Sequence, residues 1–194
     1  MGKAVLISIQ PKWCGLIAAG KKTLEIRKSR PKQETPFKVY IYCTLSGSNE
    51  FFKDALNGDV AAWNRGKWGE RKGNVIGEFI CDAILTMSIE YSDPNSRVAL
   101  KEFPGTCLTE KQIIDYMGNG VTGYGWHISG LKIYEKPKTL SEFHFPPETF
   151  CEKELCGGCP RYEMPGEYGD VMFDCEWKRP VLRAPQSWCY VEEV

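Results

Sequence analysis

The sequence lacks several features that would assign the chain to a functional class at once. Its 25 basic and 25 acidic residues give a formal net charge of zero, which excludes a general cationic field for coating nucleic acid. A nucleic-acid role would therefore require a local basic patch. No apolar run approaches the roughly 18 residues of a membrane span, and no charged segment precedes an apolar one at the start. We expect a cytoplasmic protein, or a nuclear one in a host with a nucleus, without a membrane partner.

Common catalytic and nucleotide-binding motifs are also absent from the sequence. The chain has only 2 histidines, His127 and His144, and their spacing assembles no Ser-His-Asp or Cys-His set. The glycine-rich stretches do not match a phosphate-loop pattern. Both histidines are therefore interpreted as structural residues.

The residues that are present predict one domain of short strands and short helices. A hydrophobic content of 42% is enough to bury a core, and 194 residues is an ordinary length for one domain. We expect an α+β fold, a mixed β-barrel of about six strands with flanking short helices. Period-two runs and turn residues predict strands at 5–9, 23–27, 37–44, 74–91, 124–128, 131–134 and 186–191. Start and stop signals predict helices at 11–19, 51–56 and 110–117.

Basic residues are concentrated in one segment, 21–32, which contains six of them and a single acid, Glu25. The alternation at its centre places Thr23, Glu25 and Arg27 on one face of a strand. One interpretation is a solvated strand edge that its charges protect from aggregation. The other is an ordered ion-pair network beside Lys22, able to meet phosphate or a carbonyl and to accept a base amino group.

Cysteine is abundant, with 9 residues. An odd number without a secretion signal argues against a disulfide framework. Four cysteines occur singly in apolar stretches of the sequence and are interpreted as small buried side chains, namely Cys14, Cys43, Cys81 and Cys107.

The other cysteines crowd the last quarter of the chain with the spacing Cys-x4-Cys-x2-Cys-x15-Cys. A Cys-x-x-Cys pair in a glycine turn lets two thiolates reach one tetrahedral ion, so we expect a metal-binding insert at 146–180. Zinc is the preferred cofactor; an iron–sulfur cluster and free or redox-active thiols are the alternatives. Cys189 could replace the first or the last ligand of the set Cys151, Cys156, Cys159 and Cys175.

Several of these segments together resemble the signature of the ASCH domain, in the PUA-like superfamily. The resemblance is carried by SIQPKW at 8–13 and GKKTLEIRK at 20–28, and more weakly by 39–44, 75–79 and 185–188. It covers most of residues 4–145 and the final strand. It implies a β-barrel formed by residues 1–145 and 181–194, with a cleft beside the GKKTLEIRK strand. Family members are linked to RNA or DNA binding, transcriptional coactivation and RNA processing.

One bacterial subgroup of that family consists of amidohydrolases that remove the acetyl group from N4-acetylcytidine. They use a lysine, a threonine and a glutamate, and have Lys-Thr-x-Thr where this chain has Lys22-Thr23-Leu24-Glu25. Lys22 carries over by position, whereas Glu25 stands where the subgroup has its catalytic threonine. For the glutamate of the subgroup, the order of residues offers Glu102 and Glu110. An amidohydrolase with Lys22 as nucleophile or base and Glu25 as proton carrier is therefore the alternative function.

Our main interpretation is a binding module for RNA, single-stranded nucleic acid or a nucleoside. Trp63 and Trp68, in a loop rich in cations, are candidates for base stacking or for hydrophobic lids over the barrel. A third interpretation is an adaptor that recruits a protein partner through its metal-binding insert. The predicted ligand-binding residues are Trp13, Lys21, Lys22, Thr23, Glu25, Arg27, Tyr42, Thr44, Ser187 and Trp188.

Overall fold

The computed structural model describes residues 2–46, 71–88, 104–118, 122–146 and 179–194. Within these ranges the helices are α1 (Pro11–Ala18) and α2 (Glu110–Met117), with a short 3₁₀ helix at Leu140–Glu142. The strands are β1 (Lys3–Ile9), β2 (Leu24–Arg27), β3 (Phe37–Cys43), β4 (Val75–Cys81), β5 (Ile84–Ser88), β6 (Thr122–His127), β7 (Ser129–Lys138) and β8 (Trp188–Glu192).

The described strands form two sheets, one of five strands in the order β7-β4-β3-β1-β8 and one of three in the order β2-β6-β5. All neighbouring pairs are antiparallel except β1 and β3. The α+β class is confirmed, but closure into one barrel is not found among these strands. The predicted strand at 74–91 is divided after Cys81, because β4 pairs with β3 and β7 whereas β5 pairs with β6. This division contributes to a total of eight described strands, where about six were expected.

β1 is buried on both faces because it lies inside the five-stranded sheet. Successive side chains of a strand point to opposite faces, so β1 contributes to two hydrophobic clusters. Val5, Ile7 and Ile9 belong to the first cluster, together with Cys14 and Ile17 of α1. The other face contributes to a second cluster composed of Ala4, Leu6, Tyr40, Tyr42, Val75, Phe143, Val181 and Val191.

α2 covers the three-stranded sheet with its apolar face. Thr109 begins the helix with a capping box, in which Thr109 and Gln112 exchange side-chain-to-backbone hydrogen bonds. Ile113 and Met117, four residues apart, lie on one helical face. They form a third cluster with Leu24, Ile26 and Met87. The same strand β2 therefore buries its apolar residues under α2 and leaves Glu25 and Arg27 for its other face.

The chain segments on either side of residues 147–178 lie next to each other. Phe145 N donates to the Arg179 carbonyl at 3.0 Å, and Val181 N donates to the Phe143 carbonyl at 2.8 Å. The described residues that flank 147–178 are therefore joined by main-chain hydrogen bonds. The four predicted metal ligands, and also the helix at 51–56, Trp63, Trp68 and Glu102, lie outside the described residues.

Burial of the single cysteines agrees with the sequence prediction for three of them, Cys14, Cys43 and Cys81. The prediction is wrong for Cys107, which is exposed in a loop with a φ of 56° and contacts the Lys21 carbonyl through its thiol. Among the described helices, none has the length and apolar character needed to cross a membrane.

Candidate functional site

A cavity of about 450 Å³ lies where the first sheet meets β2. β1 and β3 are parallel, so their carboxyl ends, Ile9 and Cys43, meet at one sheet edge. Just beyond β3, Thr44 N donates to the Ile9 carbonyl at 2.9 Å. The volume is within the usual range of about 300–1,000 Å³ for ligand sites. The lining residues are Ser8, Ile9, Gln10, Trp13, Lys22, Glu25, Ile26, Arg27, Thr44, Ser46, Leu108, Gln112, Tyr116, Gln186 and Ser187.

Three charged side chains, Lys22, Glu25 and Arg27, form what we call the ion triad. Glu25 Oε2 lies 3.3 Å from Lys22 Nζ, and Glu25 Oε1 lies 2.9 Å from Arg27 Nη2. Their exposed fractions are only 2%, 6% and 7% in chain order. The interpretation as a solvated strand edge is therefore wrong, and the ordered ion-pair network is present.

The Lys22 ammonium group has a partner for each of its N–H donors. Besides Glu25, Nζ donates to the carbonyls of Leu24 at 2.8 Å and Thr106 at 2.7 Å. An ammonium has three donors, so these contacts use all of them. Nζ also lies 5.4 Å from the centroid of the Trp13 ring. Lys22 is thus a positioning residue, which holds Glu25 and the loop that contains Thr106.

That loop, residues 104–108, adopts two left-handed backbone conformations to reach Lys22. Gly105 has a φ of 87° and Cys107 a φ of 56°. The Gly105 carbonyl accepts hydrogen bonds from Thr23 N at 2.9 Å and Leu24 N at 3.1 Å. Glycine adopts a positive φ without strain, whereas a residue such as Cys107 does so only where the surrounding structure holds it, and such residues are frequent at functional sites.

Arg27 is held to β1 as well as to Glu25. Its Nη2 donates to the Ser8 carbonyl at 2.7 Å and is also the nitrogen that contacts Glu25, and the guanidinium lies within hydrogen-bonding reach of the Tyr116 phenol. A guanidinium has five N–H donors. Arg27 Nε is buried without a hydrogen-bond partner in the described part of the chain. Burial raises the pKa of the Tyr116 phenol, and the nearby Arg27 charge opposes that rise.

Aromatic side chains with neighbouring cations form two parts of the cavity wall. Lys12 Nζ lies 4.6 Å from the centroid of the Trp13 ring, and Lys28 Nζ lies 5.4 Å from that of Tyr116. Both rings line the cavity. The site therefore offers flat apolar surfaces together with positive charge, the combination that holds single-stranded nucleic acid in many proteins.

The structure brings part of the predicted ligand-binding set to the cavity. Lys21 and Thr23 are exposed and are not among the lining residues. Tyr42 packs in the second cluster, because its position on β3 points it away from the face that Cys43 occupies. Trp188 packs 6.0 Å from the Trp126 ring and donates from Nε1 to Ser29 Oγ at 3.0 Å. The predicted residues that do line the cavity are Trp13, Lys22, Glu25, Arg27, Thr44 and Ser187.

Sequence reasoning missed the contribution of α2 to the cavity. Leu108, Gln112 and Tyr116 recur every four residues and all line it. Gln112 and Tyr116 lie one turn apart on a face of α2 adjacent to that of Ile113 and Met117, whereas Leu108 precedes the helix, and this spacing was available as a signal. It also missed Ser8, Ile9, Gln10, Ile26, Ser46 and Gln186, three of which belong to the SIQPKW segment.

A second side-chain pair, His127 and Asp82, lies outside the cavity lining. His127 Nδ1 lies 2.6 Å from Asp82 Oδ1, and the side chains are 46% and 44% exposed. The hydrogen bond from His127 lowers the pKa of the Asp82 carboxyl. The residues are distant in sequence and meet because β5 and β6 are paired.

The structure carries no test of the metal prediction. Within the ranges that the structure describes, no group of three or more His, Cys, Asp or Glu side chains could hold an ion. Cys189, the predicted substitute ligand, is half-buried on β8, and burial raises the pKa of its thiol to about 11. The zinc site at 151–175 stays a prediction.

Comparison with known proteins connects this arrangement to one fold. No family model matches the chain. A search of curated proteins also finds no match. The structure is similar to the crystal structure of ASCH from Zymomonas mobilis, with a TM-score of 0.52 and 17% identity over 98% of this chain and 88% of that one. A serine-to-alanine variant of the same protein gives a TM-score of 0.53 and 16% identity over 98% and 89% of the two chains. The chain therefore has the fold of an ASCH domain.

Proposed function

We propose that the chain is a member of the ASCH family, within the PUA-like superfamily, that binds nucleic acid. In this proposal the cavity receives one nucleobase of a single strand, RNA in the first instance, and the protein acts in RNA metabolism or transcription. The observation that carries the proposal is the buried ion triad on one side of a cavity whose walls include Trp13 and Tyr116. Its polar groups can hydrogen-bond a base edge, and its aromatic rings can stack on the base.

The charges at the wall support a strand rather than an isolated apolar ligand. Lys12 and Lys28 lie next to the two wall rings, and Lys28 is exposed. Phosphates on either side of an inserted base would meet such cations near the entrance. A local basic patch of this kind is what a protein with zero net charge requires for nucleic-acid binding.

The contacts of Lys22 argue against the alternative, an amidohydrolase. A nucleophile or general base needs a lone pair on nitrogen, whereas this nitrogen donates to Leu24 and Thr106 and contacts Glu25. Deprotonation would replace one N–H donor by a lone pair that faces a carbonyl or carboxylate oxygen, which costs free energy. Thr23, the hydroxyl nearest in sequence, is exposed and outside the cavity lining. Binding without turnover is therefore the function that the geometry supports best.

Fluorescence anisotropy with labelled single-stranded RNA and DNA tests the proposal. We expect binding by the unchanged protein and a loss of at least about fivefold in Trp13→Ala, since stacking contributes about 1–3 kcal/mol per base. Lys111→Ala is the matched control, because Lys111 is a cation on the exposed surface of α2, 83% exposed. It should bind like the unchanged protein.

Two results would contradict this function. The first is no measurable affinity for any single-stranded oligonucleotide. The second is turnover of N4-acetylcytidine, followed by release of acetate, that disappears in Lys22→Ala while the variant remains folded by circular dichroism. The second result would establish the amidohydrolase instead.

A further inference from the structure

We propose that Glu25 and Arg27 select a neutral nucleobase edge bearing an N–H group, and keep phosphate out of the inner cavity. This inference rests on the proposed function and specifies its ligand chemistry. It assigns base recognition to Glu25 and Arg27 and a supporting role to Lys22.

Lys22 does not contact the ligand in this proposal. Its three donors are used by Leu24, Thr106 and Glu25, and its side chain is 2% exposed. An anion that bound this ammonium would have to displace the Glu25 carboxylate at 3.3 Å or a main-chain carbonyl at 2.7 or 2.8 Å. Lys22 contributes by fixing one Glu25 oxygen in place.

Glu25 and Arg27 are the members of the ion triad that are left to contact a ligand. Each Glu25 oxygen contacts one cation, and a carboxylate oxygen has two lone pairs, so both oxygens can accept a further hydrogen bond. Of the five N–H donors of a guanidinium, Arg27 uses the two on Nη2 for Glu25 and Ser8, and Tyr116 lies within hydrogen-bonding reach of the group, so donors remain for a ligand. A fixed acceptor, Glu25, thus lies beside a guanidinium that a contact of 2.9 Å holds in place.

Glu25 and Arg27 together complement one edge of a nucleobase. An exocyclic amino group beside a ring nitrogen, or a ring N–H beside a carbonyl, offers the complementary donor and acceptor, and nucleobases carry such edges. A phosphodiester has acceptors only, so it cannot donate to Glu25, and the carboxylate charge opposes a second anion beside it. Phosphate is therefore directed to the entrance, near Lys12 and Lys28.

Isothermal titration calorimetry with ligands that differ in a single N–H tests the inference on the unchanged protein. The probes are cytidine and adenosine, their N-monomethyl and N,N-dimethyl derivatives at the exocyclic amine, guanosine, and dimethyl phosphate as the phosphate probe, since a diester has hydrogen-bond acceptors only. We expect at least one parent nucleoside to bind, its monomethyl form to keep most of that affinity, and the dimethyl form to lose at least tenfold. For guanosine, the matched pair is N1-methylguanosine. Phosphate at tenfold excess should not displace a bound nucleoside.

Glu25→Gln sharpens the test, because the amide keeps the shape of the side chain and removes its charge. In a variant that remains folded by circular dichroism, we expect phosphate or a nucleoside monophosphate to gain affinity relative to the nucleoside. If Glu25→Gln does not fold, the methylation series on the unchanged protein decides the question by itself.

The outcomes separate the inference from the function on which it rests. Oligonucleotide binding combined with phosphate displacing the ligand, or with equal affinity for the dimethyl and parent nucleosides, would overturn the inference and leave nucleic-acid binding intact. Failure of every nucleoside to bind, while oligonucleotides do bind, would also overturn it. Absence of binding by oligonucleotides and nucleosides alike would remove both proposals.

Discussion

Two clusters of ionisable side chains lie in different surroundings in the described part of this molecule. The ion triad has separations of 3.3 and 2.9 Å, and its side chains are no more than 8% exposed. His127 and Asp82 are closer, at 2.6 Å, but nearly half of each side chain is exposed. Both clusters join different strands or loops of the fold.

The comparison shows that burial, rather than distance, decides what an ion pair contributes. Water and salt screen an exposed pair, so its contribution to stability is typically below about 1 kcal/mol. A buried group has lost its hydration, so removal of its partner leaves a charge that nothing compensates. The ion triad should therefore be sensitive to substitution, and His127–Asp82 should be tolerant of it.

The largest effect is expected for Glu25→Ala. This variant leaves two buried cations, Lys22 and Arg27, without their shared anion, and we expect the free energy of unfolding to fall by about 3–5 kcal/mol. Urea denaturation followed by circular dichroism measures the change. Glu34→Ala removes an exposed carboxylate and should change stability by less than about 0.5 kcal/mol. Equal losses in the two variants would contradict the contrast between buried and exposed charge.

Gly105→Ala tests whether the ion triad depends on the loop at 104–108. The added methyl group would collide with Thr23 Oγ1 at a residue whose φ is 87°, so we expect a loss of roughly 2–4 kcal/mol. Gly20→Ala is the matched control, since Gly20 has a φ of 68° but nothing within 4 Å of the added atom. The control should lose only about 1–2 kcal/mol in thermal or urea unfolding. A tolerated Gly105→Ala would mean that this loop does not hold Lys22 tightly.

Asp82→Asn tests the exposed pair through its pH dependence. The pKa of Asp82 is lowered in the folded protein, so the unfolded chain takes up the proton first as the pH falls. The stabilisation is therefore complete above the unfolded value of about 3.9 and is lost as the pH falls through the lower, folded pKa. We expect the variant to lose less than about 1 kcal/mol at pH 7 and to show a shallower decline below about pH 4. Melting temperatures of both proteins across that range measure the difference, and parallel curves would count against the pair.

The smallest effect is expected for Lys111→Ala on α2. Lys111 Nζ lies 3.0 Å from Asp115 Oδ2, yet the two side chains are 83% and 61% exposed. An exposed pair at this helical spacing contributes about 0.3–0.5 kcal/mol, and added salt should abolish the difference from the unchanged protein. A loss above about 1 kcal/mol would weaken the rule that burial governs these contributions.

Several helices and strands could be predicted from the residues within and next to them. Pro11 at the start of α1, Thr109 with Gln112 at the start of α2, and the alternation in β2 are signals that neighbouring residues carry, and the structure has the predicted elements there. The division at Asp82 into β4 and β5 was not predicted, because a change of strand partner depends on distant residues.

The sequence by itself determined the identity of the charged strand face, because a period of two places Glu25 and Arg27 together wherever the strand lies. Only the tertiary structure decided that this face is buried, that Lys22 is held by the Thr106 carbonyl, and that Tyr116 of α2 forms part of the wall. The physical reason is the distance along the chain over which each property is decided. A strand pattern is settled by steric rules over a few residues, whereas burial and the partners of a charge depend on segments that fold together from far apart in the chain.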